Sequence, residues 1–177
     1  MSLSDLASIG SFVSAIAVII SLIYVSVQVR QAHRNQQASI RQGRSTRIVN
    51  LFIEASNPTV ADAVAKGIAG AADISSTQFE QFRYYCMAHI SHAEDSFYQH
   101  QDGLLNDAAF ETFVGALKGW FRSSGIRAVW KGIRNAYPRD FVEFMDKACA
   151  EARIAQPIDT LAQWEADIAA EKVLASA

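Results

Sequence analysis

The sequence predicts an all-α protein: one N-terminal transmembrane helix continues into a stalk, followed by a compact bundle of about five short helices. Three observations lead to this prediction. A run of 24 residues, from Leu6 to Val29, contains no formal charge. Apolar residues then recur at helical spacing between Pro and Gly breaks. Outside the apolar run there is no sustained period-two alternation, which is the pattern of a half-buried strand.

The apolar run is long enough to cross a bilayer. As a helix it would extend roughly 36 Å, at about 1.5 Å per residue, and a hydrocarbon core is about 30 Å thick. A cleaved signal peptide opens with positive charge and has a shorter apolar core, whereas only Asp5 precedes this run. A buried core helix is the other alternative, but the apolar side chains surround the helix instead of forming one stripe. We therefore assign residues 1–8 to a short tail and 9–29 to a transmembrane helix.

Charge is unevenly distributed along the chain. Residues 1–49 contain five Arg and one Asp, whereas the remainder contains 11 basic and 17 acidic residues. Lys and Arg next to a membrane helix are retained on the cytoplasmic side. This rule predicts a single-pass protein of the cytoplasmic (inner) membrane, with its N-terminus outside and its domain in the cytoplasm. The acidic domain argues against nucleic acid as a partner, because phosphate contacts need a cationic face.

The predicted stalk, residues 30–56, has one basic face. Four of its arginines fall within about 80° of arc on a helix: Arg30, Arg34, Arg41 and Arg44. These side chains either set the membrane topology or bind lipid headgroups or a partner's phosphate.

The helical domain is predicted to span residues 57–155 and to be followed by a C-terminal helix within 156–177. Asn57 and Pro58 suit a cap and a first helical position, and Thr77 to Glu80 reads as a capping box. Pro157 separates the last helix, which Asp159 or Thr160 would cap. Further helices are expected at about 58–68, 77–101, 107–122, 126–136 and from Pro138. The tryptophans lie at helical spacing with other apolar residues and are predicted to be core: Trp120, Trp130 and Trp164.

The two cysteines, Cys86 and Cys149, lie far apart and lack CxxC spacing. We interpret them as free thiols, although one disulfide stays open at this point.

Several segments of the chain are similar to one known group. They are the run Ser21–Gln31, the run Glu94–Leu105, Trp120, the Ser124–Gly125 turn, Trp130 and the segment Pro138–Phe141. Together they resemble a widespread group of bacterial proteins with one N-terminal transmembrane helix and a small all-helical domain. The resemblance covers roughly residues 10–150 and implies this architecture without any chemistry. Ala93 and Asp95 stand where the group has an aromatic residue and an Asn, so no functional role is transferred there.

A histidine cluster is the one candidate for chemistry. His89 and His92 lie at i and i+3, with the carboxylate of Asp95 at i+6, a set that could hold zinc or iron. His100 falls on the same stretch. The cluster lacks HExxH spacing and no second ligand helix is evident, so the alternative is the polar border of an amphipathic helix. We predict no cofactor and keep this metal site as an alternative.

A second pattern runs along the first helix. Gly10, Ser14, Ala17 and Ser21 are spaced 4-3-4, and the spacing continues through Tyr24, Gln28, Gln31, Asn35, Ala38, Gln42 and Ser45. We call this set of residues the seam. It is uncharged throughout, and every Arg lies off it. Small residues permit close helix approach in lipid, and a period of 3.5 predicts a left-handed helix pair. Chance could give the upper half, because Ser and Ala are common in membrane helices.

Two function hypotheses follow. The first is a non-enzymatic membrane accessory or interaction subunit, which associates with a membrane-protein partner or itself through the transmembrane helix and stalk. The second is a small metal-binding or enzymatic module centred on His89 and His92. A pocket lined by both histidines and a carboxylate from another helix would favour the second. No catalytic sequence motif is found.

Overall fold

The computed structural model describes residues 2–155 and 159–175, without the side chains of Asp5 and Ala175. These residues contain helices, turns and loops but no strand, which confirms the predicted all-α class. A 3-10 turn at Arg134–Ala136 follows α5. The helices are α1 (Leu3–Ala55), α2 (Pro58–Ala69), α3 (Ser76–Gln101), α4 (Asp107–Trp120), α5 (Ser124–Ile133), α6 (Arg139–Glu151) and α7 (Thr160–Ala175).

The chain separates into two units, one ending at Thr46 and the other beginning at Arg47. The first unit consists of the N-terminal part of α1. This helix begins at Leu3, so most of the predicted tail is helical. Among the described residues, α1 is the one helix long and apolar enough to cross a membrane. No residue of its most apolar 18-residue stretch is buried. An apolar helix in the core of a soluble protein would be mostly buried.

The second unit contains an aromatic core. Helix α3 packs against α2, α4 and α5, and α6 packs against α4. Seven large side chains are almost completely buried in this core: Trp130, Phe82, Phe121, Phe141, Ile90, Ile126 and Met145. The long helix α3 is therefore the element around which α2, α4 and α5 are arranged.

Two glycines allow α2, α3 and α5 to approach closely. A Cβ atom on Gly67 of α2 would overlap the ring of Phe82 on α3. A Cβ atom on Gly125 of α5 would overlap the carbonyl oxygen of Gly67. Since any other residue has a Cβ, both positions need glycine for the packing seen here.

The helix caps agree with the sequence in part. Asn57 caps α2 with Pro58 at its start, as predicted. Helix α4 is capped by Asn106, one of two residues, Asn106 and Asp107, that the sequence offers for this position. The capping box of α3 is wrong by two residues. It is formed by Ser75 and Gln78, because the extended backbone of Ser75 lets its hydroxyl accept from the Gln78 amide while the Gln78 side chain accepts from the Ser75 amide.

The C-terminal helix differs from the prediction in its burial. Asp159 accepts hydrogen bonds from the amides of Leu161 and Ala162, so the predicted cap is present. The predicted break at Pro157 lies outside the described residues. Trp164 is 60% exposed, and its assignment to the core is wrong, because α7 does not cover its apolar side chains against the other helices.

Candidate functional site

The seam lies on α1 in the first unit, and all of its side chains are exposed there. The hydroxyl of Ser21 donates to the carbonyl oxygen of Ala17 at 2.8 Å. This bond within the helix matters, because a hydroxyl without a partner is costly in hydrocarbon. A Ser on the membrane part of the seam is therefore compatible with lipid and leaves a small, closely approachable surface.

The arginines of the stalk lie on the same helix but off the seam. The side chains of Arg30, Arg34 and Arg41 are exposed, and that of Arg44 is half-buried. Because all four guanidinium groups lie to one side of the seam, the seam can pack against another helix without burying a charge.

An apolar surface lies on the last turns of α1, in the second unit. Val49, Phe52 and Ile53 are 50%, 60% and 61% exposed. We call these three residues the apolar face. The sequence contains a signal for this face, because the 4-3 spacing of the seam, continued beyond Ser45, reaches Val49 and then Phe52.

A groove lies between the last turns of α1, the start of α2 and α3. Its volume is about 560 Å³, within the size range of small-molecule sites. Arg47 is among its lining residues, and the guanidinium of Arg47 forms an ion pair with Asp95. Its walls are mainly apolar or aromatic, and include Ile48, Leu51, Ala55, Val60, Tyr84, Tyr85 and Ala88.

The histidines of α3 lie among aromatic rings. His89 contacts Tyr85 at 4.6 Å and Trp120 at 5.3 Å between ring centroids. Burial and, to a smaller extent, the nearby His92 together lower the pKa of His89 to about 4. A histidine with this pKa is neutral at physiological pH.

The other two histidines also have aromatic neighbours. His92 meets Phe113 edge-on at 6.1 Å. His100 stacks on Phe110 at 3.9 Å, and its Nε2 lies 3.0 Å from Asp107.

The structure does not gather the predicted metal ligands. No group of three or more His, Cys, Asp or Glu side chains in the described part of the chain is arranged to hold a metal ion. Asp95 is engaged by Arg47 and also accepts a hydrogen bond from Gln99 at 3.0 Å. The groove includes His92 and the carboxylate of Glu54, but not His89. This groove is therefore not the pocket, lined by both histidines and a carboxylate, that would favour the metal hypothesis.

The thiols are separate. Cys86 is buried and Cys149 is half-buried, and both are free. Burial raises the pKa of the Cys86 thiol to about 12. Since the thiolate is the reactive form, Cys86 is chemically inert in the folded domain.

Neither a protein-family model, nor a curated protein, nor a solved structure matches this chain. The resemblance to a bacterial group stays a prediction.

Proposed function

We propose that this protein is a non-enzymatic accessory or interaction subunit of the bacterial inner membrane. It spans the bilayer once, with its N-terminus outside and its helical domain in the cytoplasm. It associates with a membrane-protein partner or with a second copy through the transmembrane helix and stalk. The bilayer and this helical partner are its two binding partners.

The observation that supports this proposal is the exclusion of charge from the seam. A stalk that served only as a spacer would have no reason to keep its arginines to one side. Exclusion of charge is what a helix–helix interface requires, because a buried guanidinium without a partner is destabilising. Small side chains at Gly10, Ser14 and Ala17 would allow close packing in lipid, and Asn35 would set the register of the stalk more than its stability.

Crosslinking in native membranes tests the proposal. The variant Ser14→Leu/Ala17→Leu enlarges two seam positions and should lower the yield of the crosslinked complex several-fold. The matched control, Ala15→Leu/Ser26→Leu, enlarges one Ala and one Ser off the seam and should crosslink like the wild type. Equal yields from both variants would remove the seam from the proposed function.

The orientation has its own test. A Ser2→Cys variant should react with a membrane-impermeant thiol reagent in intact cells, and an Ala170→Cys variant should react only after lysis. The reverse pattern would invert the proposed topology.

A further inference from the structure

We propose that the apolar face binds the same face of a second copy of this chain, in a parallel two-stranded coiled coil that continues the seam. The inference deepens the proposed function and rests on it. It selects the second copy from the two classes of partner and fixes the direction of the pair.

The apolar face is a cluster, which distinguishes it from ordinary exposed apolar residues. Single exposed apolar side chains are normal on protein surfaces, whereas contiguous ones mark an interaction site. Val49, Phe52 and Ile53 occupy three of five consecutive positions and are each at least half exposed. On the other side of the same turns, Ile48 and Leu51 line the groove. The end of α1 thus has apolar side chains on two neighbouring sides, one lining the groove and the other exposed.

The heptad frame of α1 identifies what this face fits. The uncharged seam defines alternating a and d positions from Gly10 to Ser45. Carried forward without a shift, that frame makes Val49 an a position and Phe52 a d position, with Ile53 as the adjacent e. The a and d positions form the core of a two-stranded coiled coil and the e position flanks it, and a β-branched residue at a favours two strands. Two independent properties, the absence of charge in one part and exposed apolar area in another, therefore select the same frame.

The pattern of charge favours a second copy. In a parallel pair of identical helices each a or d residue lies opposite itself, so a charge at any seam position would meet a like charge and repel it. The seam contains none. Arg30 and Arg44 fall at c positions and Arg47 falls at f, all of which point away from the partner helix.

The flanking positions favour a parallel pair. Arg34 and Arg41 are g residues. In a parallel pair a g residue lies opposite the e residue five positions further along the partner, and these e residues are Ser39 and Thr46. In an antiparallel pair g lies opposite g, which would bring arginines against arginines. A single membrane topology also orients both copies alike.

Disulfide crosslinking of the full-length protein tests this inference. The background variant is Cys149→Ala, in which the remaining Cys86 is buried. Ser45→Cys places a thiol at a d position, and Gln36→Cys places one at a b position as the matched control. In isolated membranes treated with a mild oxidant, Ser45→Cys should form a dimer of twice the chain mass. Gln36→Cys should form at least fivefold less.

The apolar face is then tested in the Ser45→Cys background. Phe52→Asn/Ile53→Asn should lower the dimer yield at least fivefold, whereas Ile154→Asn, which changes an exposed apolar residue elsewhere, should leave it unchanged. Protection of Cys86 from a thiol reagent verifies that each variant is folded. An undiminished dimer in the double variant would overturn the role of the apolar face.

The crosslinked species also separate this inference from the proposed function. A heavier product containing a different protein, with no homodimer, would overturn the second copy but leave a seam partner in place. Absence of any crosslinked product, together with equal behaviour of the Ser14→Leu/Ala17→Leu variant and its control, would overturn both.

Discussion

Trp130 is the side chain whose replacement should most clearly disturb the helical domain. It is 1% exposed, and its ring lies 5.8 Å from that of Tyr137 and 6.2 Å from that of Phe141. Its indole N–H donates to one carboxylate oxygen of Asp146 at 2.8 Å. The other oxygen of that carboxylate accepts from Arg134 at 2.6 Å. The residue therefore combines a buried ring with one polar contact at the edge of the core.

The cost of Trp130→Ala can be estimated from these contacts. Emptying a buried aromatic site lowers the free energy of unfolding by about 3–5 kcal/mol. The loss of the indole donor adds little, because Asp146 keeps Arg134 and its side chain is 38% exposed to water. For a domain of roughly 100 residues, each kcal/mol lowers Tm by about 4–8 °C. We therefore expect Tm to fall by at least about 12 °C.

The assay uses the full chain in mild detergent. Thiol labelling of Cys86 against temperature follows the domain alone, because this thiol is buried and α1 contains no cysteine. The background is Cys149→Ala. Trp130→Phe is the control: it keeps a ring in the core and loses the indole donor, and should cost only about 1–2 kcal/mol. The expected fall in Tm is at least about 12 °C. A Trp130→Ala variant whose Tm lies within about 3 °C of that of its parent would show that Trp130 does not support the core in this way.

Three further predictions concern the stability of the same domain. Cys86 labelling follows the first two, and tryptophan fluorescence follows the third, because thiols are labelled very slowly at low pH. Gly67→Ala should destabilise the domain by about 2 kcal/mol or more, because the added Cβ would overlap the Phe82 ring. The control Gly115→Ala has open space around the added Cβ and should be neutral or stabilising by up to about 1 kcal/mol. Equal effects of the two substitutions would contradict the close approach of α2 and α3. Arg127 donates to three backbone carbonyls at the ends of α4 and α6, so Arg127→Met should cost about 2–3 kcal/mol, and a Tm like that of wild type would show that these bonds are not needed. His89 has its pKa lowered to about 4 in the folded state, so the unfolded chain binds its proton first and stability should fall as pH drops from about 6.5 to 4, by about 3 kcal/mol in all. His89→Gln should remove most of this slope, and an unchanged slope would assign it to other groups.

The elements of the domain could be predicted because their signals are local. Asn57 with Pro58, and Asn106 before α4, are caps whose effect depends on a few neighbouring atoms. The error at the start of α3 arose because Ser75 and Thr77 both begin a capping-box pattern, and the backbone conformation decides between them.

The burial of α7 and the setting of the histidines depend on tertiary contacts. Leu161, Trp164 and Ile168 have the spacing of a core-facing helix, but spacing does not state whether a receiving surface exists. His89 and His92 share a face of α3 as predicted. Whether such a face meets carboxylates or aromatic rings is decided by the other helices, and here these supply Trp120 and Phe113.

The position of Arg127 has a consequence for synthesis on the ribosome. Its guanidinium joins the end of α4 to the end of α6, through the carbonyl oxygens of Phe121, Cys149 and Ala152. In addition, all residues of the described core precede α7 in the sequence. The nascent domain can close its core as soon as α6 has emerged, before α7 is complete, since domains fold as units during translation. Fusions or truncations placed within α7 should therefore leave the folding of the preceding residues intact.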